Sequence, residues 1–317
     1  MALSKRQLFF ILSVASATLA VVAAPIKALS TQTPAASGVQ QMNIFQAFVL
    51  GFVQGATEFL PISSTAHLKV VPVVLGWGDP GVAFTAVIQL GSIAAVLWYF
   101  WGDLTQLITG AVKAISRSDY QDKDFRVSLG IIIGTLPIVV FGLLIKKFIP
   151  DFDNSPLRSM TAIAIASIVM SLLLGVAEKV GKRKREFSQL EMSDGISMGF
   201  AQAMALLPGV SRSGSTLTAG LFIGLERATA ARFSFLLGIP AITLAGLVEL
   251  KGVLEAGVGD MLPLIVGTIS SAVFSYLAIA GLLRFLKTRS TWVFIWYRLV
   301  FGIVILSAIG TGLLKNI

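Results

Sequence analysis

Gly51–His67 reads GFVQGATEFLPISSTAH, and far down the chain Leu207–Thr216 answers it with LPGVSRSGST. Both stretches lie inside long apolar sequence. Both interrupt it with proline, clustered hydroxyls and an ionisable group: Glu58 and His67 in the first, Arg212 in the second. An ionisable group at membrane depth is costly and marks a functional site by default. The expected fold is therefore one that brings the two interruptions together.

The apolar background sets the class. With 55% hydrophobic and 13% charged residues and a mean hydropathy of +0.85, the 317 residues are too apolar for an ordinary soluble domain. The apolar runs are continuous over helix-spanning lengths, which argues against a β-barrel and for an all-α polytopic membrane protein. There is no cysteine and a single histidine, so disulfides, thiol nucleophiles and multi-histidine zinc sites are excluded. The net charge of +9 suits cytoplasmic loops and anionic lipid heads better than nucleic acid.

Residues 1–40 differ from the rest. Lys5 and Arg6 precede an apolar run from Leu8 to Ala24, then Pro25 and a polar stretch. A cleaved signal peptide and an uncleaved extra N-terminal helix both remain open, and either places residue 40 outside. Residues 41–317 form a single membrane domain. Asn43–Gly76 is expected to be a broken, re-entrant helix pair hinged at Pro61–Thr65, followed by spans at Val82–Trp101, Val127–Ile149 and Leu157–Val176. The basic run Lys179–Arg185 marks the cytoplasm. Ser193–Gly224 repeats the broken pair with a hinge at Pro208–Ser213, and spans follow at Phe233–Leu250, Met261–Leu283 and Trp292–Gly310. Glu226, Arg227 and Arg232 are expected to solvate an inner loop, and the five tryptophans to anchor the interfaces.

Counting sides outward from Lys179–Arg185 gives two halves, 43–176 and 193–313, each one re-entrant pair plus three spans, in opposite orientation. This is an inverted-topology repeat, whose sites lie where the discontinuous helices meet. Gly51-Phe52-Val53-Gln54 matches Gly199-Phe200-Ala201-Gln202, while the spacing from glutamine to proline differs by one residue between the halves.

Gln54 and Glu58 share one helix face, with Ser64 and His67 just beyond the hinge. Ser63, Ser64 and Thr65 also suit hinge and cap positions. Around Arg212, Ser211, Ser213, Ser215 and Thr216 with Gly209 and Gly214 make an anion cradle that fits a phosphate. A Glu58–Arg212 bridge between the halves is compatible with that cradle.

QGATEFLPISSTAH and LPGVSRSGST resemble the two signature motifs of the undecaprenyl pyrophosphate phosphatases, the bacitracin-resistance membrane family, and the resemblance runs from Asn43 to the C-terminus. It implies hydrolysis of undecaprenyl diphosphate to undecaprenyl phosphate and inorganic phosphate, in the bacterial plasma (inner) membrane, usually with a divalent cation, magnesium or calcium. It places the family's acidic motif on Gln54 and Glu58, its serine and histidine on Ser64 and His67, and its arginine motif on Pro208–Thr216. Gln54 leaves one carboxylate where many relatives have two, and Ala66 stands where glycine is common.

On that basis Glu58, Ser64, His67 and Arg212 are the expected catalytic residues. Gln54, Ser63, Thr65, Ser211, Ser213 and Thr216 are expected to bind substrate, and Glu58 the cation. Ser64 is the candidate nucleophile with His67 as its base and acid; attack by water or by His67 itself would use the same groups. The expected partners are undecaprenyl diphosphate and membrane lipid, without nucleic acid, and a homodimer is left open. The first pair, entering from outside, opens the site toward the periplasm. A lipid-carrier flippase of the same fold is the competing reading.

Overall fold

The computed structural model describes residues 42–149, 151–152, 155–256 and 261–316. The signal-like segment 1–40 lies outside them. Among the described residues the regular structure is eleven α-helices with short 3-10 turns and no strand.

The first broken pair is α1 (Ile44–Glu58) and α2 (Ser64–Val74). Asn43 starts α1 with a capping box: its Oδ1 accepts from Gln46 N at 2.8 Å and Gln46 Oε1 accepts from Asn43 N at 3.1 Å. The second pair is α7 (Met192–Ala203), prolonged by a 3-10 turn over Met204–Leu206, and α8 (Arg212–Phe222). Each second helix has 11 residues. Each is preceded by a serine in the left-handed region, Ser63 at φ 73° and Ser211 at φ 70°, a conformation costing a non-glycine residue about 1–3 kcal/mol. Gly51 stands as far before Ser63 as Gly199 before Ser211. The spacing from that glycine to the strained serine is therefore the same in both pairs, whereas the spacing to the proline is not.

Between the pairs run α3 (Gly81–Tyr99), α4 (Trp101–Ser116), α5 (Lys123–Phe148) and α6 (Met160–Val180). After them come α9 (Arg227–Ala256), α10 (Met261–Leu286) and α11 (Trp292–Gly310). Among the described residues five helices are long and apolar enough to cross a membrane, and α3 with α4, bent by 65°, makes up to a sixth. α4 falls between the spans expected at Val82–Trp101 and Val127–Ile149. Its apolar residues recur at helical spacing, with Leu107 and Ala114 buried and Trp101, Ile108, Val112 and Ile115 exposed. Asp103, Gln106 and Lys113 interrupt any continuous apolar window, which hid the helix.

Small residues set the packing. α1 crosses α10 at Gly51 and Gly55, and α7 crosses α5 at Gly195 and Gly199. A Cβ added at Gly51 would stand 2.9 Å from the carbonyl carbon of Gly267, and one at Gly199 2.6 Å from that of Gly134. Such close backbone approach is the usual basis of helix association in lipid, where apolar burial gives little drive. The outer faces carry exposed Ile132, Leu136, Val140 and Leu143 on α5 and Ile269, Val273 and Leu277 on α10, stripes that suit lipid contact and not water. The chain is a multi-pass membrane protein. Inside, Phe233, Phe235, Leu236 and Leu237 of α9 fill the centre, with Phe59 edge-on to Phe235 at 5.2 Å.

One end of the bundle is held by charge. Glu178, 2% exposed, accepts from Arg183, Arg227 and the Thr291 hydroxyl, joining the ends of α6, α9 and α11. Arg185 forks onto Asp194 at 2.7 and 2.8 Å, and these bonds hold its guanidinium above the ordinary arginine value against partial burial. Arg232 pairs with Asp103. Arg227 and Arg232 are thus ion-paired ties between helices rather than solvating groups.

Gly199→Ala is expected to destabilise by about 1–3 kcal/mol through overpacking against α5, read as a lower thermal unfolding midpoint in detergent. Gly281→Ala, where a Cβ meets nothing within 4 Å, should leave the midpoint unchanged or raise it.

Candidate active site

Glu58 is the last residue of α1, and the two second helices start beside it. Ser64, the first residue of α2, donates from Oγ to Glu58 Oε2 at 2.7 Å. Arg212, the first residue of α8, reaches Glu58 Oε1 from Nη2 at 3.5 Å. Ser64 and Arg212, each the first residue of its helix, thus bring one hydroxyl and one guanidinium to the two oxygens of one carboxylate. Gln54, a turn earlier on α1, donates to Glu58 Oε2 at 3.2 Å and to Ser92 of α3 at 3.4 Å. Ser92 is hydrogen-bonded in turn to Ser271 and Ser275 of α10.

Arg212 is loosely held for a buried cation. Its side chain is 9% exposed. Its two hydrogen bonds, to Glu58 and to the Ser234 carbonyl, are both 3.5 Å long, at the outer limit for such bonds, and its buried Nε has no partner. Gly238 of α9 leaves room for it, since a Cβ there would run into the guanidinium. This is the form expected of a fork that exchanges its resting partner for an anion.

The serines and threonine beside Arg212 hold the hinge. Ser211 Oγ caps α8 by accepting from Gly214 N at 3.1 Å. Ser213 donates across to the Leu60 carbonyl of the first hinge at 2.9 Å. Thr216 donates to the Arg212 carbonyl at 2.7 Å and shares a bond with Ser234. Ser63 is buried and Thr65 exposed, so Thr65 is not brought into the cluster.

His67 lies apart from it. Its Nδ1 is 2.7 Å from the Ser63 carbonyl and its Nε2 2.5 Å from Tyr297 Oη, and its ring stacks on Phe301 at 4.5 Å. Ser64 therefore bonds to Glu58, and the expected pairing of Ser64 with His67 is not formed. The Ser63 carbonyl can only accept, so His67 carries its proton on Nδ1 and its Nε2 accepts from Tyr297.

For a divalent cation, no cluster of three or more histidine or acidic side chains exists among the described residues. Glu58 is a single carboxylate, with the Ser64 hydroxyl and Gln54 amide beside it. That hard-oxygen set fits magnesium or calcium held jointly with substrate phosphate oxygens, as magnesium commonly is, rather than a closed protein cage.

A family model described as "Bacitracin resistance protein BacA" matches residues 47–304, which include both hinges. The chain belongs to the BacA family. A protein of Trichormus variabilis named undecaprenyl-diphosphatase is 72% identical over the full length of both chains. One of that name from Nostoc sp. is 71% identical over the same extent. A third, from Synechocystis sp., is 67% identical over 89% of this chain and 87% of its own.

Two site residues of this BacA-family chain escaped the sequence reading, Tyr297 and Arg298 of α11. Arg298 is 1% exposed and donates to hinge carbonyls. Its signal was present, an arginine inside the apolar span WVFIWYRLVFGIVIL, which the rule for intramembrane charge covers. Tyr297→Phe keeps the ring while removing the bond to His67. It is expected to destabilise the fold by roughly 1 kcal/mol, the net worth of one hydrogen bond, and to lower turnover per folded molecule by no more than about fivefold. Steady-state kinetics beside a melting curve reads both.

Proposed function

We infer that this chain is an undecaprenyl-diphosphatase: it hydrolyses undecaprenyl diphosphate to undecaprenyl phosphate and inorganic phosphate, recycling the lipid carrier for cell-wall synthesis and conferring bacitracin resistance. The observation that carries the reading is the Glu58–Ser64–Arg212 cluster, a carboxylate already accepting a hydrogen bond from a serine hydroxyl beside a loosely held guanidinium. A lipid transporter needs the anion clamp but has no use for an activated hydroxyl.

In the mechanism that follows, the diphosphate takes Arg212 from Glu58 and the guanidinium clamps its oxygens, with the N-termini of α2 and α8 adding positive potential. Glu58, released from Arg212, takes the proton of Ser64 Oγ as general base. The Ser64 oxygen attacks the terminal phosphorus; its bond to the bridging oxygen breaks, and undecaprenyl phosphate leaves with that oxygen and its electron pair. The proton held by Glu58 passes to solvent; the restored carboxylate takes a proton from water, the water oxygen attacks the phosphoserine phosphorus, and the Ser64 oxygen leaves with its electron pair and regains its proton from Glu58. Attack by water in the first step would need the same Glu58. Phosphoryl transfer depends mainly on positioning and charge, and a divalent cation on Glu58 and the phosphate oxygens would neutralise developing charge. His67, turned toward Tyr297, serves to fix the start of α2.

The topology we propose is the inverted repeat. The equivalence of Ser63 with Ser211, the equal lengths of α2 and α8, and the matched crossings of α1 on α10 and α7 on α5 support it. The end bearing Lys179–Arg185, Arg227 and Thr291 then faces the cytoplasm under the positive-inside rule, and the site opens to the periplasmic side of the bacterial inner membrane.

Purified protein in detergent with undecaprenyl diphosphate and magnesium or calcium is expected to release phosphate, and chelation to abolish release reversibly. Glu58→Gln should lose about 10²–10⁴-fold, the usual worth of a general base, and Arg212→Ala about 10²–10³-fold, that of a preorganised charge. His67→Ala should lose less than either. Absence of release by folded wild type across metals and pH would overturn the enzyme reading in favour of lipid transport.

A further inference from the structure

The two hinges meet a second arginine, on α11. Arg298 donates from Nη1 to the Pro61 carbonyl at 3.2 Å, and from Nη2 to the Gly209 carbonyl at 2.7 Å and the Val210 carbonyl at 3.1 Å. In the register that equates Ser63 with Ser211, Pro61 and Gly209 are the same position in the two halves. One guanidinium thus grips the equivalent carbonyl of both hinges, two residues before each strained serine.

The arrangement is costly unless it does something. Arg298 is 1% exposed, pairs with no carboxylate among the described residues, and its buried Nε has no partner. A buried, unpaired cation is among the most expensive groups a fold can carry. Three carbonyl dipoles offset part of that cost, and those carbonyls in turn need donors, because hinge backbone at membrane depth finds no water. Gly214 at the start of α8 keeps the space open: a Cβ there would stand 2.7 Å from Arg298 Nη1.

We propose that Arg298 is a positioning residue for the hydrolysis: by clasping both hinge turns it fixes the spacing between the starts of α2 and α8, and hence the placement of Ser64 and Arg212 on either side of Glu58. This rests on the undecaprenyl-diphosphatase reading of the same site. Arg298 touches none of the reacting groups, so its effect is on turnover and not on capture of the lipid. Lysine retains the charge but offers a point donor that cannot fork across two turns.

The test compares wild type, Arg298→Lys, Arg298→Met and Gly214→Ala for phosphate release from undecaprenyl diphosphate. Rates are taken per folded molecule, from monodisperse protein with its melting curve. All three variants are expected to lose about 10²-fold in kcat, the scale of an ångström-sized misplacement, with KM within about threefold of wild type, since binding energy for the lipid is unchanged. A purely structural clasp would instead lower the melting point and folded yield and leave kcat per folded molecule intact. That result, or wild-type kcat in Arg298→Lys, overturns the inference while an active wild type keeps the enzyme reading. Should the Arg298 variants fail to fold, Gly214→Ala, which retains the arginine and displaces its fork, decides alone: unchanged kcat overturns it. An inactive, folded wild type overturns both readings.

Discussion

Two helices that break inside an apolar bundle leave backbone groups that water cannot reach, and every other feature of the centre follows from satisfying them. An unpartnered peptide group in hydrocarbon costs several kcal/mol, so each hinge must be supplied with donors and acceptors by its surroundings. Ser213 supplies the Leu60 carbonyl, Ser211 its own helix start, and Arg298 the carbonyls of Pro61, Gly209 and Val210. The first hinge thus takes a donor from the second, and both take donors from α11.

The same constraint makes the site. Once the turns are face to face, the starts of α2 and α8 point their free amides and first side chains into one small volume, with Glu58 between them. The two helix starts supply different chemistry: Ser64 begins α2 and Arg212 begins α8, and both bond the same carboxylate. The strain at Ser63 and Ser211 belongs to this arrangement, since both residues sit where the chain must turn sharply into the second helix of the pair.

Around the centre, packing is by close backbone approach. Glycines at the α1–α10 and α7–α5 crossings let the broken helices lie against full-length ones, so that short elements are braced along their whole length. At the basic end, Glu178 and Asp194 collect arginines from loops and helix starts. A buried carboxylate such as Glu178 tolerates its position only because three partners satisfy it, and its removal would leave those cations unpaired.

The composition and the apolar spacing of the chain determined a multi-span helical membrane protein. The prolines, hydroxyls and charges at Gly51–His67 and Leu207–Thr216 determined where its helices break, because no water-free helix carries such groups without a purpose. Gln54, Glu58, Ser64 and Arg212 were legible for that reason, and the structure gathers them. It did not gather Thr65, and it turned His67 toward Tyr297. These outcomes depend on side-chain direction at the start of α2, which spacing along the chain does not specify. The amphipathic α4 was hidden because its charged residues mask its period, and the carbonyl clasp of Arg298 because its partners are backbone atoms, which carry no residue identity to read. The left-handed turns at Ser63 and Ser211 were likewise visible only in three dimensions, because backbone torsion at a serine leaves no mark in the sequence, while the prolines, prominent in sequence, occupy different steps of each turn.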